Sequence, residues 1–148
     1  MLYDFISPFY IIRLSRGEEI IYSLKEFVEK ESIPSGIILG IGAMEEVEIG
    51  YFDDVAKYYK KKIFKKSVEI LSLQGSISWI EEKPYIHIHC VIGDEKLRSY
   101  GGHLFSGRIT ATAEIYIFVL KEMVLRTKDK KEPFYLLDLK KKFLKEDL

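Results

Sequence analysis

Tyr85-Ile86-His87-Ile88-His89-Cys90-Val91-Ile92 alternates from end to end, and its reading decides the fold. Strand side chains point to opposite faces in turn. Ile86, Ile88, Cys90 and Ile92 therefore share one face, and Tyr85, His87, His89 and Val91 share the other. The first set makes a core face. The second carries two of the chain's three histidines, and the third, His103, begins the next strand-like run, His103 to Arg108, after Gly101-Gly102. A hairpin closing symmetrically about Lys96 sets His103 directly opposite His89. Three neutral imidazoles on adjoining strands can hold a zinc-type divalent cation and leave one coordination position open. The same rings equally suit hydrogen-bonded packing positions or a subunit junction, because no carboxylate or second cysteine completes a ligand pattern.

Outward from this hairpin the chain reads as more sheet. Tyr10–Leu14 is a first strand, ending at the turn Arg16-Gly17-Glu18. From Glu19 to Glu31, Ile20, Leu24, Phe27 and Val28 keep helical spacing with charges between them, and Pro34 and Gly36 stop the helix. Gly36–Ile41 and Glu46–Phe52 read as two strands, and Asp53–Lys66 as a charged, aromatic connection. Val68–Trp79 is a strand pair or one long bent strand, with Gly75 the place for a bulge or bend. Thr110–Leu120, rich in β-branched residues, continues the sheet. Phe134–Leu139 is a last strand, and Lys140–Leu148 a polar tail that frays. Many short strands and one helix predict a single α+β domain over 1–148, its core at about 8–139, with a mostly antiparallel twisted sheet. So much sheet leaves exposed edges, which a neighbouring subunit can cover.

A length of 148 residues suits one hydrophobic core. No apolar run approaches the roughly 20 residues that cross a bilayer. Met1-Leu-Tyr-Asp-Phe5 lacks the basic and apolar regions of a secretory leader, so a cytoplasmic location without membrane partners is expected. Cys90 is the one cysteine, which excludes an internal disulfide and a Cys-based zinc ribbon, and its core position makes it inert. Lys and Glu abound, Asn is absent and Gln74 is the one side-chain amide, a composition typical of hyperthermophiles.

Lys plus Arg equal Asp plus Glu at 23 each, so the whole chain is no electrostatic trap for nucleic acid. Locally, Lys57, Lys60, Lys61, Lys62, Lys65 and Lys66 interleave with Tyr58, Tyr59 and Phe64. That pattern supplies charge for phosphates and rings for stacking, or else a solvated connection whose rings tuck onto the core. Gly40-Ile41-Gly42-Ala43 lacks both the third small residue, where Glu45 stands, and the following helix of a dinucleotide loop. It reads as a tight turn or close strand contact. Glu69 and Glu114 lie in apolar strands. Each could orient an imidazole or pair with Arg13, Arg98 or Arg108. No serine or threonine has a nucleophile-elbow context, and no catalytic triad is found.

Arg13, Gly17-Glu-Glu19, Gly40-Ile-Gly-Ala43, Glu48-Ile-Gly-Tyr-Phe52, Glu69-Ile-Leu-Ser-Leu-Gln-Gly75, His87-Ile-His89 and Gly102-His-Leu-Phe-Ser-Gly107 occur in an order that resembles the PPC domain. This is the plants and prokaryotes conserved domain, which in plants accompanies AT-hook DNA-binding motifs. The resemblance implies an α+β domain assembling as a homotrimer, with DNA or DNA-associated proteins as further partners. It also implies a histidine cluster that in some prokaryotic members looks like a metal site. The plant hook, Arg-Gly-Arg-Pro, lies outside the domain; here Arg16-Gly17 is followed by Glu18, which phosphates repel. Three functions follow as expectations. The first is a non-enzymatic regulatory or binding module, homotrimeric and DNA-associated. The second is a metalloprotein holding a divalent ion on His87, His89 and His103, structurally or with hydrolytic potential. The third is a small-ligand sensor using a cleft between subunits.

Overall fold

A computed structural model describes residues 1–139; the predicted polar tail, 140–148, lies outside the described residues. In chain order the elements are β1 (Leu2–Ile6), β2 (Phe9–Ser15), α1 (Ile20–Lys30), β3 (Ser35–Asp53), β4 (Tyr58–Phe64), β5 (Val68–Ile80), β6 (Lys83–Gly93), β7 (Ser99–Leu120), β8 (Arg126–Lys128) and β9 (Tyr135–Leu137). The main sheet is antiparallel in the order β1-β2-β7-β6-β5-β3-β4, and β3 pairs with β7 as well. That extra pairing closes β3, β5, β6 and β7 into a ring. Closure removes most of the open edges expected from the sequence and leaves β1 and β4 as the outer strands. β8 and β9 form a separate two-stranded sheet. Among the described residues, no helix is long and apolar enough to cross a membrane.

The alternating stretch behaves as its pattern requires. Ile86, Ile88, Cys90 and Ile92 are buried in one core with Ile12, Leu14, Ile38, Leu73, Ile115 and Ile117. Burial pushes the Cys90 thiol up to about 11, which keeps it protonated and unreactive. α1 lies against β6 and β7 and buries Ile20, Leu24, Phe27 and Val28. The helix starts one residue inside its predicted bound because Glu19 is the cap, its carboxylate accepting from the Tyr22 N–H at 2.6 Å.

Three expectations are corrected. The two predicted strands of 36–52 are one strand, β3, and the two of 103–120 are one strand, β7. Their ladder absorbs irregularities at Gly42–Met44 and Glu45–Glu48, where the alternation slips without ending. The bulge of β5 falls between Ile70 and Ser72, at Leu71, and not at Gly75, which pairs in regular register with Ile88. The connection 53–66 contains a strand, β4, paired with β3 from Val47↔Phe64 to Asp53↔Tyr58. Lysines on an outer strand hide it from pattern reading, since charge is how edge strands avoid further pairing.

The β6–β7 hairpin sets the histidine register, and Asp94 fixes its turn. Its Oδ1 accepts from the backbone N–H groups of Lys96 and Arg98, at 2.9 and 3.1 Å. Its Oδ2 accepts from Arg98 Nε and Nη2, at 2.9 and 2.6 Å. The Arg98 side chain above all holds the Asp94 carboxyl well below the usual carboxylate range. A depressed carboxylate contributes stability that is complete above its unfolded value, near 3.8, and is lost as pH falls through the folded one. The melting temperature of the native chain should therefore fall more steeply below about pH 4 than that of Asp94→Asn. Parallel curves in calorimetry across pH would deny Asp94 this role.

Candidate metal centre

β6 presents His87 and His89 on one face because they lie two residues apart in a strand. β7 brings His103 against them, since its register pairs His103 with His89. The symmetric hairpin read from the sequence is thus the observed one. Ring centroids lie 5.1 Å apart for His87 and His89, 5.2 Å for His87 and His103, and 5.4 Å for His89 and His103. One ring nitrogen from each lies within 4.8 Å of the other two, so the three could share one metal ion.

The rings differ in environment. His89 is exposed, whereas His87 and His103 are half-buried. Burial, reinforced by Arg126 and His89, pushes His87 down to about 4. Burial, reinforced by the other histidines and Lys61, does the same to His103. Both are therefore neutral near pH 7, the form that ligates metals. Tyr59 and Phe105 pack on His103, with centroids at 5.3 and 4.6 Å. His103 Nδ1 is buried with no hydrogen-bond partner among the described residues. An orphaned ring nitrogen costs about 1–3 kcal/mol, and a cation bound to it removes that cost. The donor set fits a zinc-type ion on this ground and on its chemistry.

Neither carboxylate that could have oriented an imidazole stands beside the cluster. Glu69 and Glu114 face solvent because their neighbours Val68, Ile70, Ala113 and Ile115 are the inward residues. Glu114 pairs in the ladder with Arg13, Arg98 bonds Asp94, and Arg108 bonds Glu46 at 3.2 Å. The polar residue that does approach the cluster is Arg126, whose Nη2 is 3.4 Å from His87 Nδ1. No local pattern in the sequence ties this arginine to the histidines. Gly102, beside His103, admits the β3 backbone and not a ligand: a Cβ there would lie 2.6 Å from the Gly50 carbonyl oxygen.

The lysine strip is largely neutralised. Lys57 bonds Asp54 and Glu132, Lys60 bonds Asp53 at 2.6 Å, Lys61 lies 3.4 Å from Glu48, and Lys66 lies 3.4 Å from Glu95. Lys62 sits over the rings of Phe64 and Tyr100. Phe64 packs against the core, Tyr59 packs instead on Phe52 and His103, and Tyr58 stays exposed.

Residues 4–121 match the Plants and Prokaryotes Conserved (PCC) domain. The fold is similar to a protein of Bacteroides thetaiotaomicron provisionally described as DNA-binding. The two share 30% identity over 95% of this chain and 98% of that one, with a TM-score of 0.91. It is similar also to a metal-containing protein of Archaeoglobus fulgidus, at 33% identity over 93% and 98% of the chains and a TM-score of 0.81. For a plant- and prokaryote-conserved (PPC) protein of Pyrococcus horikoshii the figures are 32%, 87%, 90% and 0.77. In sequence, the chain is 28% and 26% identical, over 110 residues, to Bifunctional protein GlmU of two Synechococcus strains. The match takes in 73% of this chain but spans only 16% of the length of those curated relatives.

Proposed function

The chain belongs to the Plants and Prokaryotes Conserved (PCC) domain family, and on that premise we propose that it is a non-enzymatic, self-associating binding module that holds one divalent cation of the zinc type on His87, His89 and His103. The observation that carries this reading is the convergence of three imidazoles, one ring nitrogen from each within 4.8 Å of the other two, at a His103 whose buried Nδ1 has no hydrogen-bond partner among the described residues. The metal-containing protein of Archaeoglobus fulgidus, similar along nearly its whole length, supports it. A bound zinc ion would supply a Lewis acid with one position free. The residues around it supply positioning: Tyr59 and Phe105 fix the His103 ring, and the hairpin fixes its distance from His89. Elemental analysis of protein purified without a histidine tag tests the proposal. One zinc per chain is expected, and none in the His87→Ala, His89→Ala double variant. A native chain that retains no zinc after loading and dialysis refutes it.

Self-association is read from the outer face of the ring. Ile37, Leu39, Ile41, Leu71 and Tyr116 are 39–53% exposed there and adjoin across β3, β5 and β7. Contiguous apolar area of this kind is costly in water and suits a subunit contact. Further copies of the chain cover it, in the homotrimer that the family resemblance implies. Light scattering should return three times the 17.3 kDa chain mass, and a monomeric mass refutes the trimer.

DNA is the second partner considered, because the Bacteroides thetaiotaomicron relative is provisionally described as DNA-binding. Three copies of the strip Lys57, Lys60, Lys61, Lys62, Lys65 and Lys66 would add their weak contacts through avidity. Such binding is strongest at low salt, so no mobility shift there removes DNA as a direct partner.

A further inference from the structure

The histidines open onto a cavity of about 420 Å³ whose wall, among the described residues, includes a guanidinium and no carboxylate. Tyr59, Tyr85, Phe105 and Phe134 form the aromatic part of that wall, and Arg126 stands beside His87. Arg126 Nε donates to Ser78 Oγ at 2.7 Å, and Nη1 donates to the Tyr135 carbonyl oxygen at 3.0 Å. Its guanidinium carbon lies 4.8 Å from the centre of the Tyr85 ring. Every one of these partners is neutral. Among the described residues no carboxylate pairs with Arg126, and Glu132, on the segment that crosses the cavity, is taken by Lys57 at 3.0 Å.

A cation on the imidazoles sharpens the imbalance. His87 cannot ligate through Nδ1 while that nitrogen accepts from Arg126. Ligation through Nε2 leaves the proton on Nδ1, donor facing donor. Either way Arg126 Nη2 loses its acceptor and gains a positive neighbour.

We infer that this cavity binds a small molecule with an oxyanion group, carboxylate or phosphate, on a flat apolar body, and that Arg126 is the residue that selects the oxyanion. The planar fork of arginine suits two parallel bonds to either group. The aromatic rings suit the attached body, and the volume lies in the range of small-molecule sites. The inference rests on the cation reading for part of the positive charge and on Arg126 for the rest.

Titration calorimetry with benzoate and with phenyl phosphate tests it on zinc-loaded native protein, Arg126→Gln and Arg126→Lys, with zinc content measured for each. At least one probe should bind the native protein and bind Arg126→Gln about tenfold more weakly or worse, the scale of a lost charge-assisted pair. Arg126→Lys keeps the charge without the fork and should lose less; it also carries the comparison if Arg126→Gln does not fold. Zinc content should be the same in all three. Equal affinity in native and Arg126→Gln protein, or no heat from either probe at millimolar concentration, overturns the inference while a retained zinc leaves the cation reading standing. If no zinc is taken up, the cation reading fails by itself. Arg126-dependent binding to the metal-free chain then sustains the pocket, and its absence ends it.

Discussion

Zinc at a hundredfold excess over its dissociation constant should raise the melting temperature of the native chain by roughly 5–10 °C and leave His103→Ala unmoved. The cation stabilises only what binds it better than the unfolded chain does. His87 and His89 stay near one another in any extended chain. His103 joins them only through the β6–β7 register, so the third ligand makes the site specific to the fold. A site with three ligands in the native state and at most two in the unfolded one gains about 2.7 kcal/mol at that excess. Removal of His103 takes away this third ligand, whose buried Nδ1 has no hydrogen-bond partner among the described residues. Calorimetric scans with zinc and with a chelator, at one protein concentration, read both effects. An equal rise in His103→Ala would place the cation elsewhere on the chain.

The histidine geometry was legible because every step depends on a short-range rule. Alternation over 85–92 fixes the face, and symmetry about Lys96 fixes the partner. The helix was legible from Ile20, Leu24, Phe27 and Val28 for the same reason. β4 was hidden because Tyr58-Tyr-Lys-Lys-Lys-Ile-Phe64 faces solvent along much of its length and carries its charges as protection, not as loop character. The length of β3 and β7 was hidden because irregular register at Met44 to Glu48 shifts the alternation mid-strand. The outward aim of Glu69 and Glu114 could have been read, since buried Val68, Ile70, Ala113 and Ile115 flank them. Arg126 could not. It reaches His87 because the segment before β8 joins β5, with the Trp79 N–H donating to the Val124 carbonyl oxygen at 2.9 Å. No periodicity reports a contact of that range.

Gly42→Ala should destabilise the chain by about 2–5 kcal/mol, against about 1 kcal/mol for Gly17→Ala. Both glycines have positive φ, +152° for Gly42 and +88° for Gly17, so both variants strain the backbone. They differ in what surrounds the added carbon. At Gly17 nothing lies within 4 Å. At Gly42 a Cβ would lie 2.5 Å from the Thr112 carbonyl oxygen, 2.6 Å from the Ala113 Cα and 2.9 Å from the Ala113 Cβ. Those atoms belong to the β7 backbone and to a fully buried residue, so no side chain can swing aside. β3 and β7 must part where their pairing closes the ring, and the strain spreads to Ile115 and Ile117 in the core. Urea unfolding midpoints of the two variants and the native chain read the difference. Equal losses would show that backbone strain, not crowding between β3 and β7, is what reserves position 42 for glycine.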